Sequence, residues 1–260
     1  MLQHIHPAMS LVRRAFRVVA QPFDARRYGT MSREEAFRRV YRTNAWGGTR
    51  GEHHSGRGSD DRFGVPYAWA VRDFLHDIDA RSVVDLGCGD FRVGALLTAE
   101  RWTYTGVEIV DEVVQSNRRR FGSDRVAFVR GDICEGDLPP GDVGLVRQVL
   151  QHLTNDDIQR ALHHLRAYPY VMVTEHLPAV MARANIDQRR GPGIRTARGS
   201  GVVLHEPPFS WSPGECLVRM PVNWSGSQVL VTTVYTTGLD INAEPGEWYL
   251  DLTERVALEL

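Results

Sequence analysis

The chain has 260 residues with 31 basic and 32 acidic side chains, and 42% of its residues are hydrophobic. This composition is typical of a globular protein with one α/β domain and an added segment. The formal net charge of −1 argues against a general attraction to nucleic-acid backbones. Because all 31 basic residues are arginine, lysine chemistry such as Schiff-base formation is excluded.

The first twenty residues, Met1 to Ala20, alternate apolar residues with arginines, including Arg13, Arg14 and Arg17. The apolar runs are too short for a signal core or a membrane span, so we expect a surface amphipathic helix and no membrane association. The cysteines are three and widely spaced, without a zinc pattern or a disulfide framework. This usage favours a reducing, cytoplasmic location.

The sequence predicts that the chain is organised in two regions. Residues 1–64 are expected to be a helical segment and a glycine-rich lid, and residues 65–260 the main domain, with an acceptor-facing insertion at about 177–227. Within the first region, the pattern predicts a helix from Ser32 to Arg42, because Ser32 and Glu35 form a capping box.

Strand and helix patterns then alternate along residues 66–176. We predict helices at Pro66–Ile78, Arg92–Glu100, Asp111–Phe121 and Asn155–Arg166. We predict strands at Ser82–Leu86, Tyr104–Ile109, Arg125–Arg130, Asp142–Val149 and Tyr170–Thr174. This alternation indicates βαβ crossovers and an α/β fold with a mostly parallel, Rossmann-like sheet that has helices on both faces. Two later β-prone segments, Gln228–Thr236 and Glu247–Leu252, are expected to add an antiparallel edge hairpin.

A glycine-rich turn and three acids follow the strands of this sheet. The first strand leads into Asp85-Leu86-Gly87-Cys88-Gly89-Asp90, where Gly87 and Gly89 permit a tight turn. Glu108 closes the next strand at the spacing of a carboxylate that binds ribose hydroxyls. Asp132 closes the third strand, where it can accept from an adenine amino group. Carboxylates also cap helices after strands, but three acids at consecutive strand ends favour a nucleoside site.

Two nucleoside cofactors fit this pattern in principle, NAD and S-adenosylmethionine. The NAD fingerprint requires a third glycine where Arg92 stands, and Asp90 would repel a diphosphate at the following helix. The same carboxylate suits the ammonium group of a methionine moiety. The sequence therefore favours S-adenosylmethionine.

These motifs resemble those of the class I S-adenosylmethionine-dependent methyltransferases. The resemblance rests on Val84–Asp90, Gly106-Val107-Glu108, Gly131-Asp132-Ile133 and Val149–Leu153, and it extends to Trp46-Gly47-Gly48 and Ser55-Gly56-Arg57-Gly58-Ser59, which are typical of a bacterial subgroup with a Cys-Gly-Asp-Phe motif. It departs from many members at Phe91, where a third glycine is common. It implies the fold, the cofactor and methyl transfer, with these cofactor-binding residues: Asp85, Gly87, Gly89, Asp90, Glu108, Asp132, Ile133 and Gln148. We expect the loop Trp46–Ser59 to close over the cofactor through Trp46, Ser55 and Ser59.

Candidate catalytic residues follow the fourth and fifth predicted strands. A hydroxyl acceptor needs a base, and His152 and His176 both stand near the expected position of the methyl group. Glu175 is a further candidate, either as a base or as a carboxylate that binds an amine. A cap or a pocket wall is an equally ordinary role for His152. We predict no metal site, because no set of ligands has a metal-binding spacing.

The acceptor is expected to be a small polar molecule rather than a nucleic acid. We predict O-methylation of a sugar or natural-product intermediate, with N-methylation of a small molecule, or cofactor binding without methyl transfer, as the alternatives. The polar and cationic side chains of Leu177–Trp224, among them Arg190 and Arg195, fit either a wall over the acceptor or a solvated surface. The sequence leaves the oligomeric state open.

Overall fold

A computed structural model describes residues 28–49, 51–98 and 101–237. The helices in these ranges are α1 (Arg33–Arg42), α2 (Asp61–Asp77), α3 (Asp111–Phe121) and α4 (Asn155–Leu165). The strands are β1 (Ser82–Leu86), β2 (Thr103–Glu108), β3 (Val126–Arg130), β4 (Val143–Arg147), β5 (Tyr170–Pro178), β6 (Cys216–Ser225) and β7 (Gln228–Thr236).

The seven strands form one sheet in the order β3-β2-β1-β4-β5-β7-β6. Strands β1 to β5 are parallel, while β7 runs antiparallel to β5 and β6 antiparallel to β7. The strand order reverses between β1 and β4, and ligands of open parallel sheets bind beyond the strand ends at such a point. The predicted Rossmann-like fold with an antiparallel edge hairpin is confirmed.

Each face of the sheet is covered by its own apolar cluster. On one face, Val84, Leu86 and Val171 pack with α4 residues such as Ile158 and Leu162. On the other face, alternate strand residues such as Val83, Leu145 and Met172 pack with helix α2. Successive strand residues point to opposite faces, so a sheet with helices on both faces requires nearly continuous apolar strands. The short runs Ser82–Leu86 and Val143–Arg147 have this composition.

In the antiparallel hairpin at the sheet edge, β7 pairs with a different segment from the predicted one. Strand β7 matches the predicted segment Gln228–Thr236, but its hairpin partner is β6, Cys216–Ser225. The predicted partner, Glu247–Leu252, lies outside the described residues, as does the predicted helix at Met1–Ala20. Met220 and Val218 of β6 pack into the apolar cluster beside α2, and this tertiary burial stabilises a strand whose sequence contains Pro221.

The predicted helix at Arg92–Glu100 is wrong over its described residues. Only a short 3-10 turn, Gly94–Leu97, forms there. A Cβ at Gly94 would lie 2.3 Å from the Tyr104 hydroxyl, and the Trp102 indole donates to the Leu97 carbonyl at 2.9 Å. The close approach of β2 and the side-chain bond at Leu97 replace the continuation of the helix.

Two other predicted boundaries shift toward longer elements. Helix α2 begins at Asp61, so it crosses the predicted boundary between residues 64 and 65. Strand β5 continues to Pro178, because β7 pairs with it along its whole length. Glu175 and His176 therefore lie within β5, where they pair with Val231 and Leu230, and not just after its end. Among the described residues, no helix combines the length and apolarity that crossing a bilayer would require.

Candidate functional site

A cavity of about 420 Å³ lies beyond the carboxyl ends of β1, β2, β4 and β5. Its walls include all of the predicted site residues except Glu175. The ends of the parallel strands meet at one edge of the sheet, so residues that are distant in sequence converge there. The volume is within the range of small-molecule and cofactor sites.

The turn after β1 forms the base of the cavity. Gly87 has a φ of +85°, and a Cβ there would meet Val149 at 2.5 Å. Gly89 has a φ of +57°, and a Cβ there would lie 2.2 Å from the Ser55 hydroxyl oxygen. Both positions combine a left-handed backbone with a close neighbour, so each requires glycine. The turn thereby leaves room for a ligand against the backbone.

Glu108 ends β2 and is buried at the cavity wall. Its Oε1 accepts from the Val110 amide at 3.0 Å, and the Tyr41 hydroxyl lies 3.5 Å from Oε2. Burial raises the pKa of Glu108 to about 7, although the amide of Val110 opposes the shift. The carboxyl group retains acceptor capacity on Oε2, which suits a pair of ribose hydroxyls.

Asp132 lines the same wall, but an arginine from the N-terminal region already contacts it. The Arg33 Nε donates to Oδ2 of Asp132 at 2.6 Å, and the Cys134 amide donates to Oδ1 at 2.9 Å. Arg33 also donates to Asp157 at 2.9 Å and to Glu135. An adenine amino group at Asp132 would share this carboxylate with Arg33. The sequence motifs carried no signal for this ion pair, because Arg33 is 99 residues away.

Helix α1 and the loop Trp46–Ser59 cover the cavity, and we call them together the cover. The loop is joined to the turn after β1 by two reciprocal hydrogen bonds. The Asp90 amide donates to the Ser55 hydroxyl at 2.8 Å, and the Ser55 amide donates to the Asp90 carboxylate at 3.2 Å. Ser59 is buried and lines the cavity. The predicted lid thus lies against the glycine-rich turn.

Aromatic contacts hold the cover in place on its other side. The ring of Trp46 lies 5.5 Å from Tyr41 of α1 and 4.9 Å from His152, measured between centroids. The Trp46 indole donates to the Pro192 carbonyl at 3.3 Å. Tyr41, which the motifs did not indicate, is buried and lines the cavity beside Glu108.

Both nitrogens of His152 have neighbours in the protein. Its Nδ1 lies 3.1 Å from the Gly193 carbonyl oxygen, so that nitrogen carries the proton and donates. Its Nε2 lies 3.3 Å from the Gln151 side-chain amide. Burial lowers the pKa of His152 to about 4. These contacts give His152 a fixed orientation in the cavity wall.

His176 has a less constrained imidazole. Its Nε2 is buried and has no hydrogen-bond partner among the described residues. Its ring packs against Trp224, with centroids 4.6 Å apart, and both residues line the cavity. Burial lowers the pKa of His176 to about 4. The neutral imidazole that results can accept a proton, although it is a weaker base than an exposed histidine.

The side chain of Glu175 lies outside the cavity, on the face of β5 opposite to His176. Its carboxylate accepts from the backbone amides of Leu150 and Gln151 at 3.1 and 3.0 Å. Burial raises the pKa of Glu175 to about 8, while Arg195 and the two amides oppose the shift. Successive residues of β5 point to opposite faces, so His176 lines the cavity and Glu175, predicted to contact an acceptor, does not. Glu175 instead orients the turn that carries His152.

Two arginines of Leu177–Trp224, the segment predicted to be either a wall over the acceptor or a solvated surface, are instead bonded within the protein. Arg195 is 1% exposed and donates to the Leu150 and Leu153 carbonyls. Arg190 pairs with Asp157 at 3.0 Å. Between the end of β5 and the start of β6, the residues that line the cavity are Pro192 and Ile194. Two cations, Arg57 and Arg147, line the cavity on the side where β4 ends. Gln151 and Trp224 also line it. Arg57 and Gln151 stand inside the quoted motifs, whereas Arg147 and Trp224 stand outside them and are brought to the cavity by the tertiary structure.

Gln148 follows β4 with a left-handed φ of 57° and lines the cavity. Its side-chain nitrogen is buried without a hydrogen-bond partner among the described residues. A Cβ at Gly58 would lie 2.2 Å from this nitrogen, so the cover approaches β4 closely. Asp85 is also buried, accepts from the Tyr104 hydroxyl, and has a pKa that burial raises to about 6. Ile133 completes the apolar wall beside Asp132.

Comparison with known proteins places a methyltransferase domain at residues 83–168. A curated RNA methyltransferase of uncharacterised function from Clostridium tetani (strain Massachusetts / E88) is 31% identical over 68 residues. That match covers 25% of this chain and 15% of the relative's length.

Two solved structures have a similar fold over most of the chain. The N-methyltransferase NodS from Bradyrhizobium japonicum WM9, in complex with S-adenosylhomocysteine, has a TM-score of 0.56 and 12% identity, covering 79% of this chain and 99% of that one. The 1,6-didemethyltoxoflavin-N1-methyltransferase of Burkholderia thailandensis, with bound S-adenosylhomocysteine, has a TM-score of 0.53 and 20% identity, covering 78% and 87%. Residues 83–168 thus match a methyltransferase domain family, and the chain has the fold of two methyltransferases that were solved with S-adenosylhomocysteine.

Proposed function

We propose that this protein transfers a methyl group from S-adenosylmethionine to a hydroxyl group of a small polar acceptor, such as a sugar or a natural-product intermediate. The observation that carries the choice of oxygen is His176, a neutral imidazole in the cavity wall with an unpartnered Nε2. An amine acceptor would gain most from a carboxylate, but Glu175 bonds to backbone amides away from the cavity. The geometry therefore favours a proton acceptor over a cation-binding group.

The cavity residues fit the proposed cofactor. Glu108 would accept the ribose hydroxyls, Ile133 would pack against adenine, and the adenine amino group would share Asp132 with Arg33. Asp90 and the turn Gly87–Gly89 would hold the methionine moiety, with Ser55, Ser59 and Trp46 above it. The cofactor, when bound, supplies an electrophilic methyl group on a positively charged sulfur.

The protein residues mainly position the acceptor and exclude water. Gln148 would donate a hydrogen bond to the acceptor oxygen through its unpartnered side-chain nitrogen. His176 would take the hydroxyl proton at Nε2 as the new oxygen–carbon bond forms. The cover and the aromatic wall of Trp46 and Trp224 would keep water from competing for the methyl group. His152, with both nitrogens engaged, would shape the wall rather than move a proton.

Titration calorimetry with S-adenosylmethionine, S-adenosylhomocysteine and NAD tests the cofactor. We expect micromolar dissociation constants for the first two and no binding of NAD. Binding of NAD alone, or of none of the three, would overturn the proposal.

The acceptor atom is tested with methyl-labelled cofactor and a panel of hydroxylated and aminated small molecules. We expect label in the hydroxylated compounds, and a His176→Asn variant should lose at least tenfold in kcat at unchanged cofactor affinity. Label confined to amines, with full activity of His176→Asn, would mean that the protein is an N-methyltransferase. Cofactor binding at micromolar concentration without transfer to any compound would favour a binding protein that does not transfer methyl groups.

A further inference from the structure

The two ends of the cavity differ in charge, and the strand order determines which residues lie at each end. Glu108 and Asp132 follow β2 and β3, on one side of β1. Arg147 ends β4, His176 lies in β5, and Trp224 lies in β6, all on the other side of β1. The proposed cofactor would occupy the acidic end. The acceptor would therefore approach from the end that contains arginine.

Arg147 is the inner cation at this end. Its guanidinium donates to the Gly58 carbonyl at 2.6 Å and lies over the Tyr67 ring, 4.9 Å from the centroid. Its Nε is buried and has no hydrogen-bond partner within the described ranges of the chain. Across residues 28–49, 51–98 and 101–237, no carboxylate lies within ion-pair distance of it, and the carboxylate of Asp85, which influences it electrostatically, is bonded to Tyr104. A largely buried cation without a counter-ion is costly unless a ligand supplies the negative charge.

Arg57 is the outer cation, on the cover at the rim of the cavity. Its guanidinium lies 5.8 Å from the ring centroid of Trp224. The Trp224 ring also stacks on Phe63, with centroids 4.2 Å apart. Within the part of the chain that the structure describes, Arg57 has no carboxylate at ion-pair distance. Arg33, at the acidic end of the same cavity, instead contacts three carboxylates. Among the described residues, the arginine at the acidic end is thus paired with carboxylates, whereas Arg57 and Arg147 at the other end are not.

We propose that the acceptor carries an anionic group, a carboxylate or a phosphate, that Arg147 binds inside the cavity and Arg57 binds at the rim. This inference rests on the proposed function, because it identifies the arginine end as the acceptor site. Arginine forms paired, charge-assisted hydrogen bonds with both kinds of anion, and its planar guanidinium suits such recognition. The wall formed by Trp224 and His176 would contact the less polar part of the acceptor.

The test uses benzoate, phenyl phosphate and benzamide as probes, titrated into the full chain saturated with S-adenosylhomocysteine. We expect at least one of the two anions to bind tenfold or more tightly than neutral benzamide, and the stronger anion distinguishes a carboxylate from a phosphate site. Arg147→Gln should abolish this preference, and Arg147→Lys should retain part of it. Arg57→Gln should reduce it by twofold to fivefold, because the rim is more exposed to water. Arg166→Gln, at an exposed arginine after α4, is the matched control and should leave binding unchanged.

The outcomes separate this inference from the proposed function. Equal binding of benzamide and the anions, or an anion preference that persists in Arg147→Gln, would overturn the anion site and leave the cofactor proposal standing. Failure of S-adenosylhomocysteine to bind, with anion binding that still depends on Arg147, would overturn the cofactor proposal alone. If Arg147→Gln does not fold by circular dichroism, the Arg57→Gln variant at the exposed rim decides: unchanged preference there would overturn the anion site.

Discussion

The cavity has a floor formed by strand ends and the turn after β1, and a cover formed by α1 and the loop Trp46–Ser59. The floor places Asp85, Gly87 and Glu108 through the register of parallel strands, which the backbone ladder and two apolar clusters stabilise. The cover is held by side chains, namely the Arg33 ion pairs, the Ser55–Asp90 bonds and the contacts of Trp46. One cavity thus combines a base held by backbone pairing and apolar packing with a cover held by contacts of a few side chains.

The largest expected effect comes from the attachment of α1. Arg33→Gln leaves Asp132 without its ion-pair partner and leaves Asp157, 3% exposed, with Arg190 alone. We expect a loss of about 3 kcal/mol in the free energy of unfolding, because partly buried Asp132 loses its ion-pair partner and buried Asp157 loses one of its two. Urea denaturation measures the loss. The control is Arg38→Gln, whose partners Glu34 and Glu112 are 24% and 55% exposed, and it should cost less than about 1 kcal/mol. Equal losses in both variants would mean that the cover is not anchored at Arg33.

The floor is tested at the end of β2. Glu108→Ala removes the carboxylate proposed to accept the ribose hydroxyls, and hydrogen bonds to a charged group contribute about 2 kcal/mol. We therefore expect S-adenosylhomocysteine to bind roughly 30-fold more weakly in calorimetry, since about 1.4 kcal/mol corresponds to tenfold. Glu112→Ala, in the exposed first turn of α3, should bind normally. Unchanged affinity in Glu108→Ala would remove the floor from the proposed cofactor site.

The pH dependence of the free energy of unfolding tests whether water is excluded from the floor around His176. His176 has a folded-state pKa of about 4, below the unfolded value near 6.5. Its contribution to stability is therefore present above pH 6.5 and is lost as the pH falls toward 4. Between pH 7 and pH 5, the wild type should lose about 2 kcal/mol relative to His176→Asn in urea denaturation.

Comparison with the variant is necessary because Asp85, Glu108 and Glu175 have raised pKa values. Raised carboxyl pKa values favour the folded state as the pH falls, and this opposite trend is shared by both proteins and cancels in the difference. A flat difference between the wild type and His176→Asn across this pH range would indicate a hydrated floor.

The smallest expected effect is at the contact between floor and cover. Ser55→Ala removes the hydroxyl that accepts from the Asp90 amide at 2.8 Å, which contributes about 1 kcal/mol. We expect S-adenosylhomocysteine to bind roughly fivefold more weakly, mainly through faster dissociation. Stopped-flow fluorescence measures the dissociation rate, and Ser123→Ala in an exposed turn is the control. An unchanged rate would show that the loop does not retain the cofactor.

Much of the floor was predictable because its signals are local. Apolar runs of four or five residues, the glycines of the turn and the acid at Glu108 occur in the order that a parallel sheet requires. The shortened helix at Gly94 and the extended β5 were not predictable in this way, since Tyr104, Trp102 and β7 determine them. Likewise, the arginines of the late loop have the composition of a binding surface, but Arg195 is buried against backbone carbonyls.

The Rossmann-like sheet, the glycine-rich turn and the acids at the strand ends follow from local sequence patterns, because the period of apolar residues and the need for glycine at positive φ act over a few residues. The folded chain was needed to reveal that Arg33 pairs with Asp132, that Glu175 bonds to a turn and that β6 pairs with β7. It was also needed to reveal that Arg57 and Arg147 line the same cavity. The physical reason is that ion pairs, sheet-edge pairing and side-chain burial depend on distances between residues far apart in the chain, and residue types and spacing do not specify those distances.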